Sequence, residues 1–265
     1  MSEAISFLLP SFIMCFILVG IHCYLGLHVL KRGIVFIDLS LAQVASLGST
    51  VAILFHVEHH GSGSYLISLV FTFVAALYFA FIRKSQQNLS QEVMIAIVYA
   101  FASASVILIL NTLAHGSEHI KEVLIGRILW VTWPDIIKTT AIYSIVAILH
   151  FAFRKVFFDL SEGKSYHFVW VFLFYALFGV VISSSVGLAG ILLVFSFLIV
   201  PAQFAIMLAK TIRNQLLIGW SIGVLVSLIG MFISYHFDMP AGAIIVTLFT
   251  ALAILLLPFI SSDEA

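Results

Sequence analysis

Long apolar stretches alternate with short polar segments along the whole chain. About 20 apolar residues form a helix of about 30 Å, enough to cross the hydrocarbon layer of a bilayer. Nine stretches fit this description: 5–30, 34–55, 65–82, 93–114, 136–153, 167–186, 188–209, 216–236 and 241–258. Because Phe168 to Ala209 is apolar throughout and too long for one crossing, we expect a break near Gly187, Gly190 or the serines at 183–185. The pattern predicts an all-α polytopic bundle of eight or nine spans, forming a single domain over residues 1–265.

Residues 115–135 follow a different pattern. Apolar side chains recur at helical spacing on one side of this segment (Ile120, Val123, Leu124, Ile128 and Leu129), whereas Lys121, Glu122 and Arg127 face elsewhere. This is typical of an amphipathic helix at a membrane surface. Trp130 and Trp133 are suited to anchor it at the interface, and Pro134 is expected to end it. Such a helix fits a gate and a passive plug equally well.

Composition agrees with the membrane assignment. Hydrophobic residues make up 63% of the chain and charged residues 9%, with a mean hydropathy of +1.20. A soluble domain carries about a quarter charged residues. The formal net charge of zero offers no basic surface for nucleic acid. The first apolar run is too long for a signal peptide, and Cys15 and Cys23 within it are interpreted as small packing residues.

The basic residues predict an orientation. Nine of the twelve Lys and Arg lie at four junctions that fall on one side when the spans alternate: Lys31, Arg32, Arg83, Lys84, Arg154, Lys155, Lys164, Lys210 and Arg213. Positive charge favours the cytoplasmic side. We therefore expect the N-terminus outside and the C-terminus in the cytoplasm.

In this orientation most histidines fall at the outer side: His56, His59, His60, His115, His119 and His236. Glu58, Glu118, Glu122 and Asp238 lie among them. Imidazole and carboxylate groups together suit borderline divalent cations. The first five histidines are a candidate set for gathering metal outside the membrane, although loop histidines are also common without any ligand.

Ionisable groups inside spans are costly, and for that reason they are candidates for function. His22, Asp38 and His150 belong to this class, and Gln43 and Gln203 are neutral companions. An ordinary ion pair of Asp38 with Lys31 or Arg32 is an equally good explanation for that carboxylate. His28 and His150 are expected at the inner interface. Glycines and other small residues repeat every four positions in several spans, a pattern that favours close helix packing.

Several chemistries are excluded by missing motifs. The sequence has no phosphate-binding loop of the type G-x-x-x-x-G-K-[ST] and no zinc-protease H-E-x-x-H motif. Ser196 lacks the glycines that flank the serine of a nucleophile turn. The chain is therefore predicted not to be an enzyme and to need no cofactor.

Three segments together resemble the permease subunits of bacterial ATP-binding-cassette importers of zinc, manganese and iron. Val186–Ala202 is similar to the glycine-led, proline-ended span of that family. Tyr235–Gly242 resembles its aspartate-x-proline-alanine-glycine motif. Lys31-Arg32-Gly33, followed by Asp38 to Gln43, resembles its basic pair and second span.

The resemblance implies a location in the inner membrane of a bacterium, together with partners and roles. It implies a cytosolic ATP-binding subunit docking on the segment from Gln203 to Gln215, with Gln203, Lys210, Thr211 and Arg213 as coupling residues. It further implies an extracytoplasmic metal-binding protein, a homodimer or a heterodimer with a similar permease, membrane lipid around the bundle and a divalent metal ion as cargo. The metal-handling candidates are Asp38, Gln43, His236, Asp238 and His22.

One departure from the family concerns the second span, which usually carries an aspartate and a histidine four residues apart. Aligned on Arg32, the aspartate matches Asp38 and the histidine is missing; aligned on the later Leu-Ala, Gln43 replaces the histidine and Leu39 the aspartate.

The leading hypothesis is a permease driven by a separate ATPase. The alternative is an ATP-independent secondary metal carrier, which requires a deep pair of ligands within a span. A haem-binding electron carrier is a third possibility, and the absorption spectrum of the purified protein tests it directly.

Overall fold

The computed structural model describes residues 2–57, 61–85, 90–113, 116–164 and 166–260. Within these ranges the chain is helical, with no strand. Ten α-helices follow one another: α1 Ser2–Arg32, α2 Ile37–Leu54, α3 Ser62–Ser85, α4 Gln91–Leu110, α5 Gly116–Ile125, α6 Trp133–Ala152, α7 Arg154–Ser161, α8 Phe168–Leu208, α9 Ile212–Phe237 and α10 Ala241–Leu256. Eight of them are long and apolar enough to cross a membrane. The polytopic helical bundle predicted from the sequence is confirmed.

Helix α8 contains two passes rather than one. Gly190 lies in the middle of this 41-residue element with φ 75° and ψ 162°, which is not helical. Before Gly190, Tyr175 contacts Arg32 and Ser185 contacts His22, so α8 runs antiparallel to α1. After Gly190, Leu198 and Ala202 lie against Gly26, back between those two levels of α1. The chain therefore reverses at Gly190, within the segment where the sequence predicts a break.

Three glycines allow the backbone to approach itself at this reversal. A Cβ atom on Gly126 would collide with the backbone of Ala189 and Gly190, and one on Gly190 would collide with that of Gly126. Gly242, at the start of α10, faces the carbonyl oxygen of Ile125 in the same way. The amide of Arg127 also donates a hydrogen bond to Leu188 O at 2.9 Å. The segment after α5 is thus fixed against both α8 and α10.

The two ends of the bundle differ in charge. Arg32 donates to the Tyr175 hydroxyl, and Arg83 donates to the carbonyl oxygen of Leu160 in α7. The termini of α1, α3 and α7 therefore meet at one end, together with the start of α8 and α9. We call this the basic end, and the opposite end, where α5 lies, the α5 end.

Small residues pack the spans closely, as their spacing predicts. Gly179 faces the Thr72 side chain of α3, while Gly219 and Gly223 face Cys23 and Val19 of α1. Such contacts matter in lipid, where packing rather than hydrophobicity drives helix association.

Three expectations are corrected. Pro134 does not end the amphipathic helix: α5 stops at Ile125, and Pro134 stands in the first turn of α6. His28 and His150 are not at the membrane interface but inside the protein, each only 1% exposed. The short helix α7, which the sequence analysis did not predict, covers them, and its Ser161 hydroxyl lies 2.7 Å from His28 Nδ1.

Candidate functional site

A polar cavity of about 140 Å³ opens at the α5 end of the bundle, between α2, α3, α5, α6 and α8. Eight residues with hydroxyl groups line its walls: Ser46, Ser49, Ser64, Tyr65, Ser68, Thr139, Ser183 and Ser184. The Ser68 hydroxyl donates to Ala45 O, and the Ser183 hydroxyl lies 2.8 Å from that of Thr72. A cavity of this composition within an apolar bundle is suited to a hydrated or charged solute rather than to lipid.

Four charged groups also line the cavity. Glu122 and Arg127 come from the segment around α5, and Asp135 and Lys138 from the first turns of α6. Asp135 accepts two hydrogen bonds from Thr132, through its amide at 3.0 Å and its hydroxyl at 2.7 Å, and so caps α6. The Lys138 ammonium lies 5.0 Å from the centre of the Tyr65 ring. The mouth therefore holds two cations and two carboxylates, which balance each other.

Asp38, at the start of α2 and away from the cavity, is an unusual buried group. Its side chain is fully buried in the first turn of α2, and neither carboxylate oxygen has a hydrogen-bond partner. The expected ion pair with Lys31 or Arg32 is not formed, because Arg32 instead donates to Tyr175 at 2.7 Å and stacks over Phe174. Buried polar groups without partners are rare and costly, so this carboxylate needs either a proton or a cation.

The α2 helix connects Asp38 to the cavity. With about 100° of rotation per residue, Ser46 and Ser49 lie within about 80° of Asp38 around the helix axis. They stand about 12 and 17 Å further along it, at 1.5 Å per residue, and both line the cavity. Asp38 and the cavity hydroxyls thus share one face of α2.

The same geometry applies to Ala42, four residues after Asp38 where the family has its histidine, and to Gln43, which replaces the histidine in the other alignment. Ala42 lies about 40° from Asp38 on the shared face, whereas Gln43 is turned away by about 140°. Gln43 is buried, with 7% of its surface exposed. The structure therefore brings Asp38 and Ala42 to the same face and does not bring Gln43 to it.

His22 is held inside a polar network in mid-bundle. Its Nδ1 donates to Leu18 O at 2.8 Å, and its Nε2 lies 3.1 Å from Ser185 Oγ. Ser185 in turn shares a hydrogen bond of 2.5 Å with the Tyr143 hydroxyl. Both ring nitrogens are engaged within the protein, so a metal ion could bind His22 only after one of these bonds broke.

His236 and Asp238 lie away from the cavity, at the exposed C-terminus of α9. His236 stacks on the ring of Phe232, and Asp238 adopts a left-handed conformation with φ 50°. Its amide donates to Ser234 O and so ends α9. In this structure the aspartate-proline-alanine-glycine motif forms the turn that places Gly242 against Ile125.

The outer histidines are only partly described. His59, His60 and His115 lie outside the described residues. His56 is exposed in a left-handed turn after α2, and His119 lies 4.0 Å from Glu122. Among the described residues no cluster of three or more metal-binding side chains occurs.

The segment predicted to dock an ATPase is mostly helical. Gln203 belongs to the last turns of α8, and Thr211 caps α9 by accepting a hydrogen bond from the amide of Asn214. Lys210, Thr211 and Arg213 are exposed at the basic end. The Gln215 side chain donates to Ala209 O at 2.9 Å and holds the short connection in place.

A second ordered element at this end is the turn after α7. Lys164 pairs with Asp159 and Glu162, and the Tyr166 hydroxyl donates to Asp159 at 2.6 Å. The hydrogen bonds from Lys164 and Tyr166 hold the pKa of Asp159 below its ordinary value, and the bond to Asp159 raises the pKa of Lys164. All of these groups lie on the surface, so the effect is local.

Sequence reasoning missed the serines and Arg127 as cavity residues. Serines in apolar spans occur at many packing positions, so their number gives no signal. Arg127 was placed on the polar side of an amphipathic helix, but only the contact of Gly126 with Gly190 brings it to the cavity.

Comparison with known proteins agrees with this architecture. The profile of the ABC 3 transport family matches residues 4–260. The chain is 29% identical over 198 residues to the manganese transport system membrane protein MntC of Listeria innocua, covering 72% of this chain and 70% of that protein. It is 25% identical over 256 residues to a Haemophilus influenzae protein named "Probable iron transport system membrane protein", covering 93% and 87%.

Among solved structures, PsaBC from Streptococcus pneumoniae in complex with Fab superimposes with a TM-score of 0.77 at 20% identity. The match covers 96% of this chain and 94% of that one, and it shows a shared fold. Since the family profile spans nearly the whole sequence, and the bundle has the membrane-spanning helices such a protein needs, the chain belongs to the ABC 3 transport family.

Proposed function

We propose that this chain is the membrane permease subunit of an ATP-driven importer of divalent metal ions, with zinc, manganese and iron as the candidate cargoes. The family and the names of its manganese and iron relatives support this proposal. The observation that carries it is that one face of α2 holds both Ser46 and Ser49, which line the cavity at the α5 end, and the unpartnered carboxylate of Asp38.

The proposed path begins at the cavity mouth and follows the hydroxyls of Ser49 and Ser46 towards Asp38. A transit site must bind its ion weakly enough to release it. One carboxylate with hydroxyl and water oxygens meets this requirement. Because Ala42 stands where an imidazole would share the face of Asp38, the ligands on this path are oxygens. Oxygen ligands suit manganese better than zinc, which favours manganese among the three cargoes.

The proposed orientation places the basic end in the cytoplasm of a bacterium, following the positive-inside rule. The exposed connection with Lys210, Thr211 and Arg213 then faces a cytosolic ATPase subunit. The cavity at the α5 end faces an extracytoplasmic metal-binding protein. We further propose that two permease chains, identical or similar, pair in the complete transporter, which spans the inner membrane many times.

The test is uptake of manganese, zinc and iron into proteoliposomes that contain the chain with and without its ATPase subunit and ATP. We expect metal uptake only when the ATPase subunit and ATP are both present. Asp38→Asn keeps the size of the side chain and removes its charge, so it should lower uptake at least tenfold without lowering the melting temperature of the protein. Asp159→Asn, on the surface of α7, is the matched control and should transport normally.

Uptake by the isolated chain without ATP would instead support the secondary carrier. Normal transport by Asp38→Asn would remove Asp38 from the path.

A further inference from the structure

A long apolar groove runs down one flank of the bundle, between α1, α6 and α9. Its volume is about 450 Å³, within the range of small-molecule sites in proteins. Ile17 and Ile21 of α1, Ala147 and Phe151 of α6, and Trp220 of α9 form much of its wall. Ala147 and Phe151 are exposed, so the groove opens sideways, away from the polar cavity.

The length of the groove matches one leaflet of a bilayer. Along α6 its lining extends from Thr140 to Phe151, which is about 17 Å at 1.5 Å per residue, and Arg154 follows at the start of α7. Half of a hydrocarbon layer of about 30 Å is about 15 Å. A single acyl chain that enters at the basic end can therefore lie in the groove along its whole length in that leaflet.

Positive charge without a protein partner marks the basic end of the groove. The exposed Arg154 guanidinium lies 4.7 Å from the centre of the Phe151 ring. Lys31 lies 5.8 Å from the ring of Phe158, which also lines the groove. Among the described residues no carboxylate lies within ion-pairing distance of Arg154, and the nearby Asp159 and Glu162 are paired with Lys164. The rings hold the two cations without neutralising them.

We infer that the groove is a binding site for an anionic phospholipid, with the phosphate at Arg154 and one acyl chain along α6. Basic pockets at the cytoplasmic ends of membrane helices attract anionic headgroups, at about 1 kcal/mol per basic residue. The groove is apolar along its length and positively charged at one end. A phospholipid matches both features, because its acyl chain is apolar and its phosphate is an anion. Charge complementarity therefore favours this occupant over a second copy of the chain. The inference uses the proposed orientation only to assign the leaflet, and the binding does not depend on transport.

The experiment is native mass spectrometry of the full chain released from detergent, titrated with phosphatidylglycerol and phosphatidylcholine of the same acyl composition. We expect phosphatidylglycerol to bind at least fivefold more tightly, with one molecule retained per chain. Arg154→Gln should lose most of this preference, a change of about fivefold for one basic residue. Lys121→Gln removes one charge at the α5 end and should leave the preference intact.

A second variant tests the acyl part of the site. Ala147→Trp fills the groove without changing charge, and should weaken binding of both lipids while leaving the melting temperature of the protein in detergent nearly unchanged. Equal affinity for the two lipids in the unmodified protein would overturn the inference, as would an unchanged preference in Arg154→Gln. A shift between monomer and dimer in both variants, without any change in lipid binding, would also overturn it and would identify the groove as an interface between copies. A failure of metal uptake alone leaves this inference intact and counts against the proposed function.

Discussion

The reversal at Gly190 gives a sharp prediction, because Gly187, one turn earlier, provides a matched control. Alanine at position 190 would have to adopt φ 75° and ψ 162°, a region essentially reserved for glycine, at a cost of about 1 to 3 kcal/mol. Its Cβ would in addition collide with the backbone of Ile125 and Gly126, which cannot turn aside as a side chain can. The destabilisation should therefore be at least this large.

Gly187 is helical and has open space where a Cβ atom would lie. Alanine there should stabilise the helix by about 0.5 to 1 kcal/mol. For a protein of this size, each kcal/mol shifts the melting temperature by about 2 to 4 °C. Gly190→Ala should thus melt at least about 2 to 12 °C below the unmodified protein, and Gly187→Ala slightly above it.

The assay is thermal unfolding of both variants in the same detergent, followed by circular dichroism at one scan rate. Opposite signs for the two variants support a reversal that requires glycine at position 190 alone. If Gly190→Ala melts at or above the unmodified protein, Gly190 does not adopt a positive φ in close contact with the backbone of Gly126.

Three further predictions concern the α2 path, the buried network and the basic end. Ala42→His places an imidazole one turn from Asp38, and in proteoliposomes with the ATPase it should shift uptake from manganese towards zinc; an unchanged ratio would show that Ala42 does not face the path. Tyr143→Phe removes the hydrogen bond of the Tyr143 hydroxyl to Ser185, which in turn contacts His22, and should cost about 1 to 2 kcal/mol in unfolding free energy; Tyr78→Phe, on the exposed side of α3, should have little effect. Because the pKa of Asp159 is held below its ordinary value, its bonds to Lys164 and Tyr166 are complete above that ordinary value and are lost as pH falls through the lowered one. Hydrogen exchange at residues 159–164 should therefore increase at acidic pH, and Asp159→Asn should make it fast at neutral pH as well.

Much of the architecture could be predicted from the sequence because a bilayer imposes simple rules. A span needs about 20 apolar residues with all backbone hydrogen bonds made internally, and it leaves its basic residues at the ends. These rules are local, so the positions of the spans, the amphipathic α5 and the basic junctions follow from composition along the chain. Asp38 and His22 were likewise recognisable as costly residues within spans. The short α7 was not, because eight residues with few apolar positions give little signal.

What only the tertiary structure decided depends on contacts between distant segments. The turn of α8 at Gly190 rather than at Gly187 follows from the backbone of residues 125 and 126 lying against it. Asp38 has no partner because Arg32, six residues away, bonds to Tyr175 of another helix instead. The cavity and the flank groove exist only where three or more helices meet. Periodicity indicates which residues share a face of one helix, but the partner of that face is set by the packing of the whole bundle.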